Sequence, residues 1–252
     1  MTECLIDNFF KKNVNSKIFH GFFKRNGGVS KDSFKSLNCA LMDGEKKTNV
    51  IENRKLACKK FSINPSNLVI LKQIHSNKII EVNKNSRAKE ADGMISKDTE
   101  LALGILTADC APMVFSGQKY YGIIHLGWRG LFKNIISNLV RILKDKKEDI
   151  PNVYCSVGPH LNKQSFEIKK DFIKLVRNQK PEIEHFISFE DNKYFFDFSG
   201  SIKNDLIING FKEINISSLD TFSNNKDFFS YRFSKKQNEV CGRQISLIGK
   251  YK

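Results

Sequence analysis

The stretch from residue 101 to residue 143 constrains the fold more than any other. Residues 101–106 (LALGIL) and 112–115 (PMVF) are apolar runs of strand length on either side of Thr107-Ala108-Asp109-Cys110. Ser116-Gly117-Gln118-Lys119 is a turn signal, and residues 120–125 (YYGIIH) form the next run. Gly127-Trp128-Arg129-Gly130 then opens a helix in which Phe132, Ile135, Ile136, Leu139, Val140 and Leu143 recur at helical spacing. Strands that feed a one-faced helix must bury a sheet against helices.

The rest of the chain extends that pattern. Residues 17–24, 67–73, 78–83, 150–157, 214–219 and 244–248 read as strands, and residues 49–61, 170–178 and 199–209 as helices. Asn26-Gly27 after the first strand predicts a hairpin. No internal repeat and no Pro/Gly/Ser-rich linker interrupts the sequence. The expectation is one α+β (mixed α/β) domain over residues 1–252, with layered mixed sheets flanked by helices.

Composition excludes several classes. With 252 residues, 40% of them hydrophobic and 21 of them Phe, the chain can bury a sizeable core. No apolar run reaches the ~18 residues of a membrane helix, and MTECLIDNFFKKN lacks the basic flank of a signal peptide. Six dispersed cysteines with no C-x-x-C pair point to a reducing, cytoplasmic setting and away from closed zinc-finger sites. The net charge of +15 is spread along the whole chain. It reads as a solvated surface that attracts an anionic substrate such as phosphate, with nucleic-acid binding ranked last.

Only five histidines are present: His20, His75, His125, His160 and His185. His75 falls between two strands, His125 ends a strand, and Cys110 ends another beside Asp109. Strand ends converge on one edge of a sheet, so two imidazoles and a thiolate can meet there. Three protein donors leave a position open for water or substrate, the catalytic pattern for zinc. Spacing alone leaves the alternative open that Cys110 is a small buried apolar residue and the histidines are hydrogen-bonded structural ones. Arg25-Asn26-Gly27-Gly28 reads first as a hairpin turn with an exposed arginine and second as a phosphate-binding nest. Trp128 reads as a base-stacking ring or as core. Phosphate-loop, dinucleotide, nucleophile-elbow and zincin motifs are absent from the sequence.

An ordered series of segments adds to this reading. His20-Gly21-Phe22 and Arg25-Asn26-Gly27-Gly28-Val29-Ser30 precede Ser36-Leu37-Asn38, Glu52-Asn53-Arg54, Gln73-Ile74-His75 and Ala91-Asp92-Gly93. Thr107-Ala108-Asp109-Cys110-Ala111-Pro112, His125-Leu126-Gly127-Trp128-Arg129-Gly130, Gly158-Pro159-His160, Phe228-Phe229-Ser230-Tyr231-Arg232 and Gly242-Arg243 follow. This order resembles the laccase-domain family, also called the multicopper polyphenol oxidase family, over about residues 18–249. The resemblance implies a cysteine-hydrolase-like α/β fold and a metal, Zn2+ or alternatively Cu2+, on His75, Cys110 and His125. It implies a substrate and phosphate site that includes Arg25, Gly27, Gly28, Asn38, Gln73, Trp128 and Arg129, with Asp109 and Arg25 among the catalytic residues.

The implied activity is phosphorolysis of adenosine, inosine, guanosine and methylthioadenosine, with deamination of adenosine. Purine nucleosides and phosphate are then the partners of a monomer or homodimer. Two other activities compete. One is a copper oxidase, with Met113 as an axial ligand in a single-copper version. The other is a cysteine hydrolase or peptidoglycan-editing enzyme, with Cys110 as nucleophile and His125 as base. Two departures from the family pattern stand out. Phe222 occupies a position where a cysteine is frequent, and Leu126 one where a small residue is common.

Overall fold

Side-chain alternation along the central strands sets the layering in the computed structural model, which describes residues 2–86 and 89–252. The strands are β1 (Cys4–Leu5), β2 (Ile18–Phe23), β3 (Leu68–Ile70), β4 (Ile79–Glu81), β5 (Gly93–Ser96), β6 (Leu101–Thr107), β7 (Ala111–Ser116), β8 (Tyr121–Leu126), β9 (Tyr154–Val157), β10 (Glu167–Ile168), β11 (Ile187–Glu190), β12 (Lys193–Phe196), β13 (Glu213–Ile216) and β14 (Gln244–Lys250). The helices are α1 (Asn8–Asn13), α2 (Lys47–Lys59), α3 (Trp128–Phe132), α4 (Ile135–Asp145), α5 (Lys170–Gln179), α6 (Phe198–Ile208) and α7 (Tyr231–Lys236).

One sheet runs β1-β2-β14-β6-β3 and a second runs β13-β9-β7-β8-β5-β4. Both are mixed: β3–β6, β4–β5 and β9–β13 are parallel and the other pairs antiparallel. A small third sheet, β10-β12-β11, flanks them. The period of two sends Leu103, Ile105 and Ile248 of the first sheet toward Val114, Tyr121 and Ile123 of the second. The intervening residues Ala102, Ile245 and Leu247 pack on Ala57 and Cys58 of α2. Met113, Phe115, Ile124 and Leu126 cover the second sheet's far face against α4, α5 and α6. The order of layers is therefore helix, sheet, sheet, helices, an α+β architecture.

Local sequence accounts for the departures from expectation. The helix expected from Gly127 onward is two, α3 and α4, because Asn134 takes a left-handed conformation (φ 58°) between them. Asn26-Gly27 makes no hairpin. Both edges of β2 are already taken, by β1 and β14, so the following loop returns without a partner and Ser36 and Leu37 donate to Arg25 O. The strand expected over 150–157 begins only at Tyr154, after a 3-10 turn that contains Pro151.

His20 faces the space between the two large sheets and is 2% exposed. Its Nε2 accepts the N–H of Asp7 at 2.9 Å, so the ring is neutral there. Burial brings its pKa down to about 4, against the opposing charge of Asp7. A depressed histidine stabilises the fold fully above its unfolded value near 6.5 and loses that contribution as the pH falls toward 4. The loss over this window is about 3 kcal/mol. Denaturant titrations between pH 7 and 4 should show it, and His20→Gln should flatten the slope. An equally steep acid limb in the variant would assign the effect elsewhere.

Candidate metal centre and its cavity

The chain crosses from the first large sheet to the second twice at the same edge, between β3 and β4 and between β6 and β7. The first crossing carries His75 and the second carries Asp109 and Cys110. Strand β8 ends at this edge just after His125, because it runs antiparallel to β7. One donor atom each from His75, Cys110 and His125 lies within 4.8 Å of the others. The two imidazoles sit edge to face, centroids 4.9 Å apart. Gly127 closes the group from one side. A Cβ there would stand 3.2 Å from His75 Cδ2 and 3.3 Å from Cys110 Sγ, so a side chain at this position would press on two of the three donors and require them to give by a few tenths of an ångström.

Asp92, wholly buried, organises the cluster. Its carboxylate accepts the successive N–H groups of Ile74, His75 and Ser76 at 3.3, 3.0 and 2.6 Å and the Ser76 hydroxyl at 2.7 Å. These bonds wind the loop that holds His75 at a left-handed φ of 55°. Asp92 Oδ1 also meets His125 Nδ1 at 2.8 Å, which leaves Nε2 of that ring for the centre. Burial would raise the Asp92 pKa, but the bonds from His125 and Ser76 overcome it and hold it at about 2. Burial likewise opposes the Cys110 thiolate, and the neighbouring His125 and His75 win, lowering the thiol's pKa. His125 moves up in turn, because Cys110 and Asp92 outweigh its burial. The set is thus biased toward the thiolate a divalent metal requires. Two imidazole nitrogens and a thiolate suit zinc or copper.

The centre opens into a cavity of about 840 Å3. Of the residues singled out in the sequence, His75, Cys110, His125, Asp109, Gln73, Trp128 and Arg129 line it, and Arg25, Gly27, Gly28 and Asn38 do not. Arg25 is committed elsewhere: Nε donates to Lys35 O, Nη1 to Asn225 O, and the guanidinium lies over Phe229. Gly28 gives its N–H to Ser36 Oγ, and a Cβ on it would collide with Ser36 O, so the glycine serves loop packing. The carboxamide of Asn38 bonds Ala40 on both sides and receives the N–H of Arg243. Gln73, although in the lining, spends its amide on Leu106 N and O and extends the β3–β6 pairing.

Asp109 stands at φ 87° and directs both oxygens away from the donors, Oδ1 to the Thr221 hydroxyl and Oδ2 to Arg232 N, each at 2.7 Å. Trp128 is braced edge-on by Phe132 and Phe172 and covered by Arg129 at 4.1 Å. Phe222 packs on the helix-side core, and Leu126 is buried there rather than crowding His125. The axial candidate Met113 belongs to that same core and does not reach the cavity. His160 is buried between Gly158 O and Ser199 Oγ. Asp92, Arg232, Lys235 and Arg243 are not among the residues singled out in the sequence, although all but Lys235 lie in segments that carry the family resemblance.

The fold is a mixed four-layer architecture in which His75, Cys110 and His125 gather at the crossover edge of the sheets as three donors that could hold a metal ion beside an open cavity. The chain belongs to the multi-copper polyphenol oxidoreductase laccase family, whose sequence model matches residues 19–250. A purine nucleoside phosphorylase of Rickettsia conorii is 28% identical over 92% of this chain and 95% of its own length. One from Haemophilus influenzae is 29% identical over 92% and 94%. The crystal structure of YlmD from Geobacillus stearothermophilus superposes with a TM-score of 0.87, at 23% identity over 98% of this chain and 94% of that one. A Bacillus licheniformis hypothetical protein, YfiH, gives 0.85 at 25% identity over 94% of both chains. Among the described residues, no helix is long and apolar enough to cross a membrane.

Proposed function

We propose that this protein is a zinc-dependent purine nucleoside phosphorylase acting on adenosine, inosine, guanosine and methylthioadenosine, which also deaminates adenosine by addition of water and release of ammonia. The observation that carries the reading is the opening of the His75–Cys110–His125 centre into a nucleoside-sized cavity with apolar and guanidinium walls. The names of its relatives point the same way. In phosphorolysis a phosphate oxygen bonds to the anomeric carbon of the pentose as the bond from that carbon to the purine nitrogen breaks. The electron pair leaves with the purine, which takes up a proton, and the sugar departs as its 1-phosphate. Positive charge develops on the sugar in such a transition state.

His75, Cys110 and His125 would hold zinc, which supplies a Lewis acid beside the reacting groups when bound. Leu71, Leu106, Leu161, Phe166 and Phe198 give the purine an apolar wall and keep water from it. Asp109, with both oxygens engaged, acts as a positioning residue for α7. A laccase-type copper cluster would need more imidazoles than His75 and His125, the two that line the cavity.

The test combines metal analysis with product identification. Zinc-loaded protein should convert each nucleoside to free base and pentose 1-phosphate only when phosphate is supplied, and adenosine to inosine and ammonia without it. His75→Ala should lose both bound zinc and turnover. Unchanged zinc content and unchanged turnover in that variant would reject the site.

A further inference from the structure

The phosphorolytic reading leaves the phosphate without a receptor, since Arg25 is engaged by backbone carbonyls outside the cavity. We propose that Arg129, Arg232 and Arg243 together form the oxyanion receptor of this site, and that inorganic phosphate is what they hold. The proposal rests on the function given above.

Charge balance is the first argument. Four cationic side chains line the cavity, Arg129, Arg232, Lys235 and Arg243, against one carboxylate, Asp109. Among the described residues, none of the four forms a side-chain ion pair. Arg129 and Lys235 are exposed, but the half-buried guanidiniums of Arg232 and Arg243 are drawn partly out of bulk water without a counter-charge, and an anion entering the cavity relieves that cost.

Preorganisation is the second argument. Each guanidinium lies over an aromatic ring: Arg129 over Trp128 at 4.1 Å, Arg232 over Phe166 at 5.3 Å and Arg243 over Tyr231 at 5.7 Å. Arg232 Nη1 is tied to Glu167 O at 2.6 Å, and Arg243 Nη1 to Cys241 O and Gly242 O at 2.8 and 2.9 Å. These bonds fix the two side chains and leave Nε and Nη2 of each available. The Arg129 guanidinium makes no hydrogen bond among the described residues and keeps its whole fork. Planar forks held in place without acidic partners match a tetrahedral dianion, which accepts two bonds from each. The backbone supports the same grouping: Asp109 receives Arg232 N, and Asn38 receives Arg243 N at 2.9 Å.

A phosphoryl oxyanion could come from inorganic phosphate or from the 5′-phosphate of a nucleotide, so the experiment carries both arms. Calorimetry on the zinc-loaded protein measures inorganic phosphate alone and adenosine 5′-monophosphate alone, and initial rates give separate KM values for phosphate and inosine. Arg129→Gln and Arg243→Gln should each weaken phosphate binding and raise the phosphate KM about ten- to a hundredfold. The inosine KM and zinc content should stay within about twofold of the parent protein. Lys174→Gln, an equal loss of charge on α5 away from the cavity, should leave the phosphate KM unchanged. Wild-type phosphate affinity in both arginine variants would overturn the receptor. Arginine-dependent binding of the nucleotide without binding of inorganic phosphate would overturn the choice of ligand. Absence of phosphorolysis by the parent protein would instead count against the proposed function, while the calorimetric arm still judges the receptor.

Discussion

Asp92→Ala will cost the centre its metal and the fold much of its stability. Five donors converge on this carboxylate: the N–H groups of Ile74, His75 and Ser76, the Ser76 hydroxyl and His125 Nδ1. Alanine leaves them without an acceptor around a wholly buried position, and His125 Nδ1, itself buried, suffers most. Each orphaned donor costs about 1–3 kcal/mol, and relaxation of the loop keeps the sum to about 3–5 kcal/mol, the range for breaking a buried charged network. The metal effect is separate. Loss of the carboxylate behind a ligating imidazole weakens metal affinity about 10–100-fold. His75 should suffer as well, because Asp92 winds its loop.

Asp92→Asn separates the two effects. It keeps the size of the side chain but removes the charge and one acceptor, so it should retain more stability than alanine while still losing zinc affinity. Zinc competition against a chromophoric chelator and denaturant titration measure the two independently. Wild-type zinc affinity in the asparagine variant would show that the charge of Asp92 does not tune His125.

The sequence made the donors legible for a physical reason. His75, Cys110 and His125 each sit at the end of an apolar run, and strand ends must gather at a sheet edge. The helix-side packing of Phe132 to Leu143 was equally plain from its spacing. What stayed hidden were the residues whose work depends on tertiary neighbours. Asp92 looks like an ordinary turn residue before Gly93, and nothing local shows that the 74–76 loop folds onto it.

Arg25 misled in the opposite sense. An arginine beside two glycines looks like a phosphate nest, yet the loop closes on itself and consumes the guanidinium with Lys35 O and Asn225 O. The Asn26-Gly27 hairpin failed because β14, more than 200 residues away, already occupies the open side of β2. Arg232 and Arg243 come to the cavity from the far end of the chain, a contact that no short-range pattern encodes.

Lys180 is the other group the sequence concealed, and its replacement carries the second large effect. A lysine in Gln179-Lys180-Pro181-Glu182 looks solvated, yet Lys180 and Asp205 are each only 4% exposed and lie 3.7 Å apart. Lys180 Nζ donates to Leu131 O at 3.0 Å and Asn134 Oδ1 at 2.8 Å, across the joint between α3 and α4. Among the described residues Asp205 Oδ2 has no hydrogen-bond partner, so the lysine charge is its main compensation. Burial already raises the Asp205 pKa, with Lys180 opposing.

Lys180→Met should therefore destabilise the protein by about 3–5 kcal/mol, because a lone carboxylate is left in the core and two acceptors at the α3–α4 joint lose their donor. Lys180→Met with Asp205→Leu should recover most of that loss, since an apolar pair of similar volume needs no counter-charge. Urea denaturation with an unchanged m-value reads both variants. A loss below about 1 kcal/mol in the single variant would place the pair among hydrated surface ion pairs. Zinc content should be unaffected in either protein, because the three donors stand on other segments. The phosphate KM should rise in the single variant, because the joint it loosens sets the position of α3 and with it Arg129.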